Sequence, residues 1–163
     1  ELVQLVKGEF PSFGIAVAGY PETHQDAISP AADLENLQRK VVAGGEVVIT
    51  QLFYDNADFF RFRDACQAMG ISAPIIPGIL PVTNLSQIQR ITSLCKARLP
   101  QQLVDDLSQR DDPQWQFDRG IAYAARQVQE LMDAGVPGIH FYVLNKSQAT
   151  GAVLQAVKRT GSK

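Results

Sequence analysis

Side chains able to bind or polarise a ligand collect at four points of this sequence. Tyr20, Glu22 and His24 follow one apolar run. Gln51, Phe53 and Tyr54 follow a second. Thr83 and Asn84, with Gln87 one turn on, follow a third. His140, Tyr142, Asn145 and Lys146 belong to a fourth. This set has acceptors, donors and rings but no activated nucleophile: there is no Ser-His-Asp arrangement and no phosphate-cradling glycine loop. Such chemistry suits a flat aromatic ligand held by stacking and amide hydrogen bonds.

Gln51 is the sharpest of these residues. It interrupts VVITQLFYD, Val47–Asp55, whose apolar start reads as a fully buried parallel strand. A buried amide is costly without hydrogen-bond partners. In α/β folds ligands bind at the C-terminal ends of strands, so Gln51 is a candidate substrate contact. An amide satisfied by neighbouring backbone explains the residue equally well, and the strand alone leaves both readings open.

The elements that position these residues alternate. Helices are predicted over Glu1–Lys7, stopped by Gly8, and over Ala31–Ala43, started by Ser29-Pro30. A third starts from Asn56 or Asp58 and runs to Met69; a fourth starts at Asn84 or Ser86 and runs to about Lys96. A shorter helix reaches about Gln109, a long one covers Gln116–Ala134, and a last one covers Gln148–Lys158. Strands are predicted over Gly14–Gly19, Val47–Phe53, Pro74–Leu80 and Gly138–Leu144, the third kinked at Pro77-Gly78. Three helices end alike, at Ala43-Gly44, Met69-Gly70 and Ala134-Gly135, each shortly before an apolar strand. This alternation means α/β architecture with a parallel sheet, either a small open sheet or half of an eight-stranded β/α barrel. Periodicity leaves these two open.

The 163 residues suffice for one domain, 1–163, with a frayed tail expected at 159–163. A net charge of -2 argues against a nucleic-acid partner. The two cysteines, Cys66 and Cys95, form no CxxC or Cys/His cluster, so no metal site is expected; they read as reduced, buried thiols of a cytoplasmic protein. No apolar run reaches the roughly 18 residues of a membrane helix, and no membrane partner is expected. The chain opens at Glu1 with what reads as the tail of an amphipathic helix, so it is expected to be the C-terminal part of something longer.

Four blocks carry a resemblance: AGYPETH, ADLENLQRKVVAGGEVVITQLFYD, PIIPGILPVTN and GIHFYVLN. In order and spacing they resemble the methylenetetrahydrofolate reductase family, from Phe13 to about Val157. The resemblance implies a TIM-type β/α barrel of which this chain supplies strands five to eight. It implies an FAD enzyme that passes a hydride from NADH or NADPH to 5,10-methylenetetrahydrofolate, in one-carbon metabolism and methionine biosynthesis. It puts Tyr20 and His24 against the FAD, and Asp33, Asn36, Arg39 and Lys40 on its adenosine and diphosphate. Independently, Asp33, Asn36 and Lys40 share a helix face. It makes Gln51 the glutamine that meets both folate and nicotinamide, Gln87 a further folate contact, and Lys146 a lysine where the family more usually has a folate-binding arginine. It puts the general acid, a glutamate, in the first half of the barrel, outside this chain. His140 and Tyr142 read mainly as packing. A non-catalytic half-barrel that binds a partner or ligand is the alternative. An open half-barrel would leave two sheet edges and an apolar inner face including Val17, Ile49, Ile76 and Phe141, to be covered by the missing half or by a second copy in a homo-oligomer.

Overall fold

The computed structural model describes residues 1–145 and 147–160. Along them run α1 (Leu2–Glu9), β1 (Ala16–Gly19), α2 (Pro30–Val42), β2 (Val47–Thr50), α3 (Asn56–Ala68) and β3 (Ile75–Ile76). They are followed by β4 (Gly78–Ile79), α4 (Leu85–Cys95), α5 (Gln101–Ser108), α6 (Pro113–Asp133), β5 (His140–Phe141) and α7 (Ser147–Thr160). Every pairing is parallel: β1–β2–β3 form one ladder and β4–β5 another. The expected α/β class with parallel strands is therefore present, and among the described residues no barrel closes. Of the tail expected to fray, residues 161–163 lie outside the described residues, as does Lys146.

Helix ends follow the sequence closely. Ser29 and Asn84 cap α2 and α4, their side-chain oxygens accepting from Ala32 N (3.1 Å) and Gln87 N (2.8 Å). Gly44, Gly70 and Gly135 have φ of 118°, 76° and 76°. Beyond each, an N–H returns to the carbonyl five residues back, Gly45 to Lys40, Ile71 to Cys66 and Val136 to Leu131. This is the Schellman closure a glycine permits. Three boundaries differ from expectation. Asp55 caps α3, accepting from Ala57 N at 3.0 Å, while Asn56 and Asp58 are buried inside the helix. Asp112 caps α6 with Pro113 in the first turn, so the helix starts before Gln116. Gly8 does not stop α1, which runs on to Glu9: a glycine weakens a helix without breaking it.

The strands are shorter than their apolar runs. Pro77 has no N–H to donate, so the expected strand Pro74–Leu80 divides: β3 pairs with β2, and β4 pairs with β5. Gly78 N–H reaches sideways to Thr50 Oγ1 at 2.9 Å. β2 stops at Thr50 rather than Phe53, because the Gln51 side chain takes the next backbone N–H, that of Leu52, at 2.9 Å. The last strand is only His140–Phe141; Leu144 and Asn145 turn the chain with φ of 49° and 62°.

Alternation across the pleat decides which face each residue takes. Val17 and Val48 pack with Leu37 of α2 and Phe62 of α3, and Phe141 packs against the cluster of Val128, Leu131 and Val153 on α6 and α7. Val17 and Phe141 thus belong to the helix side, contrary to their expected place on the inner face. Ile49 and Ile76, each one residue out of phase with them, are half-buried on the other face, where Ala16 and Ala18 are exposed. Among the described residues, no helix is long and apolar enough to cross a membrane.

Candidate functional site

Tyr20 leaves the end of β1 and opens the loop to α2. A turn closes at once, Thr23 N to Tyr20 O at 3.1 Å, and holds Thr23 at φ 73°. His24 is then fixed twice. Its N–H donates to Asp33 Oδ2 at 2.9 Å, and its Nδ1 accepts from Asp26 N at 3.1 Å. With Nδ1 occupied as an acceptor, the neutral ring carries its proton on Nε2. The ring stands edge-on to Tyr20, 4.5 Å between centroids at 84°. Lys40, on the α2 face shared with Asp33 and Asn36, reaches back to Ala18 O at 3.1 Å and lies 5.7 Å from the Tyr20 ring centre. Among the described residues Arg39 pairs with Glu35, 3.5 Å away, with 72% of its side chain exposed. Tyr20, His24, Asp33, Asn36, Arg39 and Lys40 all line one open groove of about 930 Å³ between α2 and α1. Burial, and then the Asp33 charge, hold the Tyr20 phenol above its usual range, so it stays neutral at physiological pH.

The two glutamines stand elsewhere. Gln51 follows the end of β2, half-buried, and is not among the lining residues of that groove. Its Oε1 is taken by Leu52 N, while its Nε2 makes no hydrogen bond among the described residues. Gln87 sits on the first turn of α4, its Oε1 accepting from the Thr83 hydroxyl, in a small pocket with Leu80, Tyr142 and Leu144. Tyr142 lies between these places: its hydroxyl donates to Thr50 O at 2.8 Å and its ring lines the Gln87 pocket. His140 packs edge-on against it at 4.7 Å.

A family model described as methylenetetrahydrofolate reductase matches residues 1–158. The chain belongs to the methylenetetrahydrofolate reductase family. It is 41% identical to the 5,10-methylenetetrahydrofolate reductase of Pectobacterium carotovorum subsp. carotovorum over 154 residues, 94% of this chain and 51% of that protein. It is 42% identical to the Escherichia coli (strain K12) protein of the same name over 156 residues, 94% of this chain and 52% of that protein. Methylenetetrahydrofolate reductase (NADH) 1 of Zea mays is 34% identical over 167 residues, 94% of this chain and 28% of that protein. The chain thus spans about half the length of the bacterial relatives it matches. In fold it is similar to a solved structure of an uncharacterized protein from Clostridium thermocellum, described as binding two copies of 5-methyl-5,6,7,8-tetrahydrofolic acid. The TM-score is 0.63 at 14% identity, covering 96% of this chain and 57% of that one.

In this methylenetetrahydrofolate reductase family chain, one cluster has no counterpart in the sequence reading. Glu22 Oε2 accepts from Arg98 N at 2.7 Å, and the Arg98 guanidinium reaches Asp55 Oδ2 at 3.1 Å and Asp58 Oδ2 at 2.8 Å. Asp58 also pairs with Arg61. The loop after β1 is thereby tied to the start of α3 and to the link between α4 and α5. Glu22 Oε1 is buried with no partner among the described residues. Burial raises the Glu22 carboxyl above its ordinary range; the Arg98 N–H opposes this without reversing it. Nothing near Glu22 in the sequence announces Arg98, because the two are 76 residues apart.

Proposed function

We propose that this chain is a single domain, residues 1–163, forming the second half of a β/α eight-barrel, strands five to eight, in an enzyme that reduces 5,10-methylenetetrahydrofolate to 5-methyltetrahydrofolate with NADH or NADPH and FAD. The observation that carries this reading is the groove. Family membership speaks for a reductase, and the side chains expected on the flavin side, from a strand-end loop and one helix face, line a single cleft. Its volume lies within the roughly 300–1,000 Å³ of cofactor and small-molecule sites. The donor set fits FAD: Lys40 and Arg39 suit a diphosphate, Asp33 and Asn36 suit hydroxyls and an amide, and Tyr20 offers a half-buried ring. When bound, FAD would supply the hydride relay between nicotinamide and folate.

The chain's own residues bind and orient. Gln51 presents its Nε2 to acceptors on whichever flat ring occupies the strand end, pterin or nicotinamide. Gln87, its Oε1 held by Thr83, presents its amide nitrogen to the folate, and Lys146 supplies a cation to the same ligand. The family resemblance puts the general acid in the other half, so this chain alone turns over no folate. Parallel sheets are covered on both faces, and the exposed Ala16 and Ala18 fit a sheet completed by the rest of a barrel or by a second copy. The enzyme works in the cytoplasm.

The test uses a complete barrel carrying these residues. It should purify with flavin absorbance, oxidise NADH or NADPH anaerobically and reduce methylenetetrahydrofolate. Gln51→Ala should keep the flavin and slow both half-reactions by about 2–4 kcal/mol of barrier. A protein that takes up no FAD, or equal rates for Gln51→Ala, would refute the reading. A flavin-loaded barrel without turnover would favour a binding module instead.

A further inference from the structure

We infer that Tyr142 is a positioning residue for Gln51, acting through the peptide that joins Thr50 to Gln51; this rests on the role given to Gln51 above. That peptide unit is held at both ends. Its N–H, on Gln51, donates to Gly19 O of β1 at 2.8 Å. Its carbonyl, on Thr50, accepts the Tyr142 hydroxyl at 2.8 Å, from beyond the end of β5 and 92 residues away. A peptide plane pinned on both edges cannot rotate without breaking one of the two bonds. The Gln51 side chain starts from this plane and is itself tied, Oε1 to Leu52 N–H. A backbone N–H can only donate, so that contact fixes which end of the amide points inward and turns the NH₂ outward.

The surroundings are built for this reach. Gly78 N–H goes to the Thr50 hydroxyl at 2.9 Å and leaves the Thr50 carbonyl to Tyr142. A Cβ on Gly78 would stand 2.3 Å from Thr50 O and 2.6 Å from Tyr142 Cε2, so only glycine leaves the passage open. Thr50 is fully buried, where an unpartnered carbonyl is costly. Burial, and then nearby Tyr20 and Cys95, hold the Tyr142 phenol above its usual range and keep it a donor at neutral pH. A ring that only filled space would need no hydroxyl; phenylalanine would serve.

The test is a double-mutant cycle in the complete, FAD-loaded barrel. Tyr142→Phe is made in the Gln51 and Gln51→Ala backgrounds. Flavin reduction by NADH or NADPH and flavin reoxidation by methylenetetrahydrofolate are then followed separately by stopped flow. Tyr142→Phe should slow both steps about tenfold, the scale of one hydrogen bond, with FAD content retained and the melting temperature lowered by about 2–4 °C, as one unpartnered buried carbonyl costs. In the Gln51→Ala background the same change should cost less than about twofold, because the group it positions is gone. Gly78→Ala, which crowds the same passage, should show the same dependence on Gln51. Equal slowing in both backgrounds, or no slowing by Tyr142→Phe, overturns the inference. Unchanged rates in Gln51→Ala alone would instead remove the reading it rests on.

Discussion

Arg39 and Lys40 are neighbours in sequence, yet the proposed FAD site predicts unequal losses of FAD when each is removed. Lys40 already lies across the groove, tethered to Ala18 O at 3.1 Å and set over Tyr20. A charge-assisted bond from it to a diphosphate oxygen adds about 1.5–3 kcal/mol. Losing that bond weakens FAD by about 10–150-fold. Arg39 starts with 72% of its side chain exposed and 3.5 Å from Glu35. To bind a phosphate it must leave that pair, worth about 0.3–0.5 kcal/mol, and freeze a flexible side chain that carries about 2 kcal/mol of rotamer entropy. Its net contribution is then about 1 kcal/mol or less, roughly fivefold in affinity. Lys40→Met is the cleaner variant, because it keeps the apolar stem over Tyr20 and removes only the charge. Titrating FAD into the apo forms by flavin fluorescence measures both losses, and the KM for methylenetetrahydrofolate should move less than either. The Lys40→Met loss should also shrink at high salt, as the charge is screened. A larger loss for Arg39→Ala, or an unchanged FAD affinity for Lys40→Met, would refute this reasoning.

Two further predictions concern the loop after β1. Burial raises the folded-state Glu22 carboxyl above its ordinary 4.5, so the protonated form favours folding. That contribution is complete below the ordinary value and is lost as pH rises through the raised one. Glu22→Gln keeps an acceptor for Arg98 N–H and carries no charge, so it should melt higher than the parent at about pH 8 and level with it at about pH 4; a lower melting temperature at the higher pH would refute the sign. Thr23 is a β-branched residue at φ 73°, and asparagine tolerates that region better. Thr23→Asn should therefore stabilise by about 0.5–1 kcal/mol in urea unfolding, and a loss of stability would show that the Thr23 side chain has a role the strain conceals.

Much of the fold was legible because its signals are local. A glycine after a helix has one dominant reason, a backbone that must turn left-handed, and the three glycines marked from sequence do turn there. Ser29 and Asn84 likewise bind N–H groups within three residues of themselves. Strand lengths were misread because apolarity reports burial and not pairing. Leu52, Phe53 and Tyr54 continue the apolar run of β2 and are all buried, yet they leave the ladder. Leu52 and Tyr54 join the cluster around Leu103 and Leu107, while Phe53 joins the one around Leu131. Three consecutive buried residues can serve two cores on opposite sides of a chain that has stopped being a strand.

The site divides in the same way. The groove residues could be gathered from sequence because a family pattern and a helical repeat both place them, and each lies within one loop or one helix face. Gln51 stands out in the sequence because a polar residue in an apolar run is a local anomaly. What escaped were its supports. From sequence Tyr142 reads mainly as packing, alternation putting it on the face opposite Phe141. Whether a phenol on that face ends in a void or on a carbonyl depends on where another strand stops. Here it depends on Pro77 dividing a strand, on Gly78 leaving room, and on β2 ending at Thr50. Two of those three residues stood out in the sequence, but only as breaks in a pattern. Their consequence is a contact between a side chain and a main-chain oxygen, and every residue in a chain carries that oxygen. No residue type marks the acceptor, so the donor's purpose becomes readable only when the fold has brought the two together.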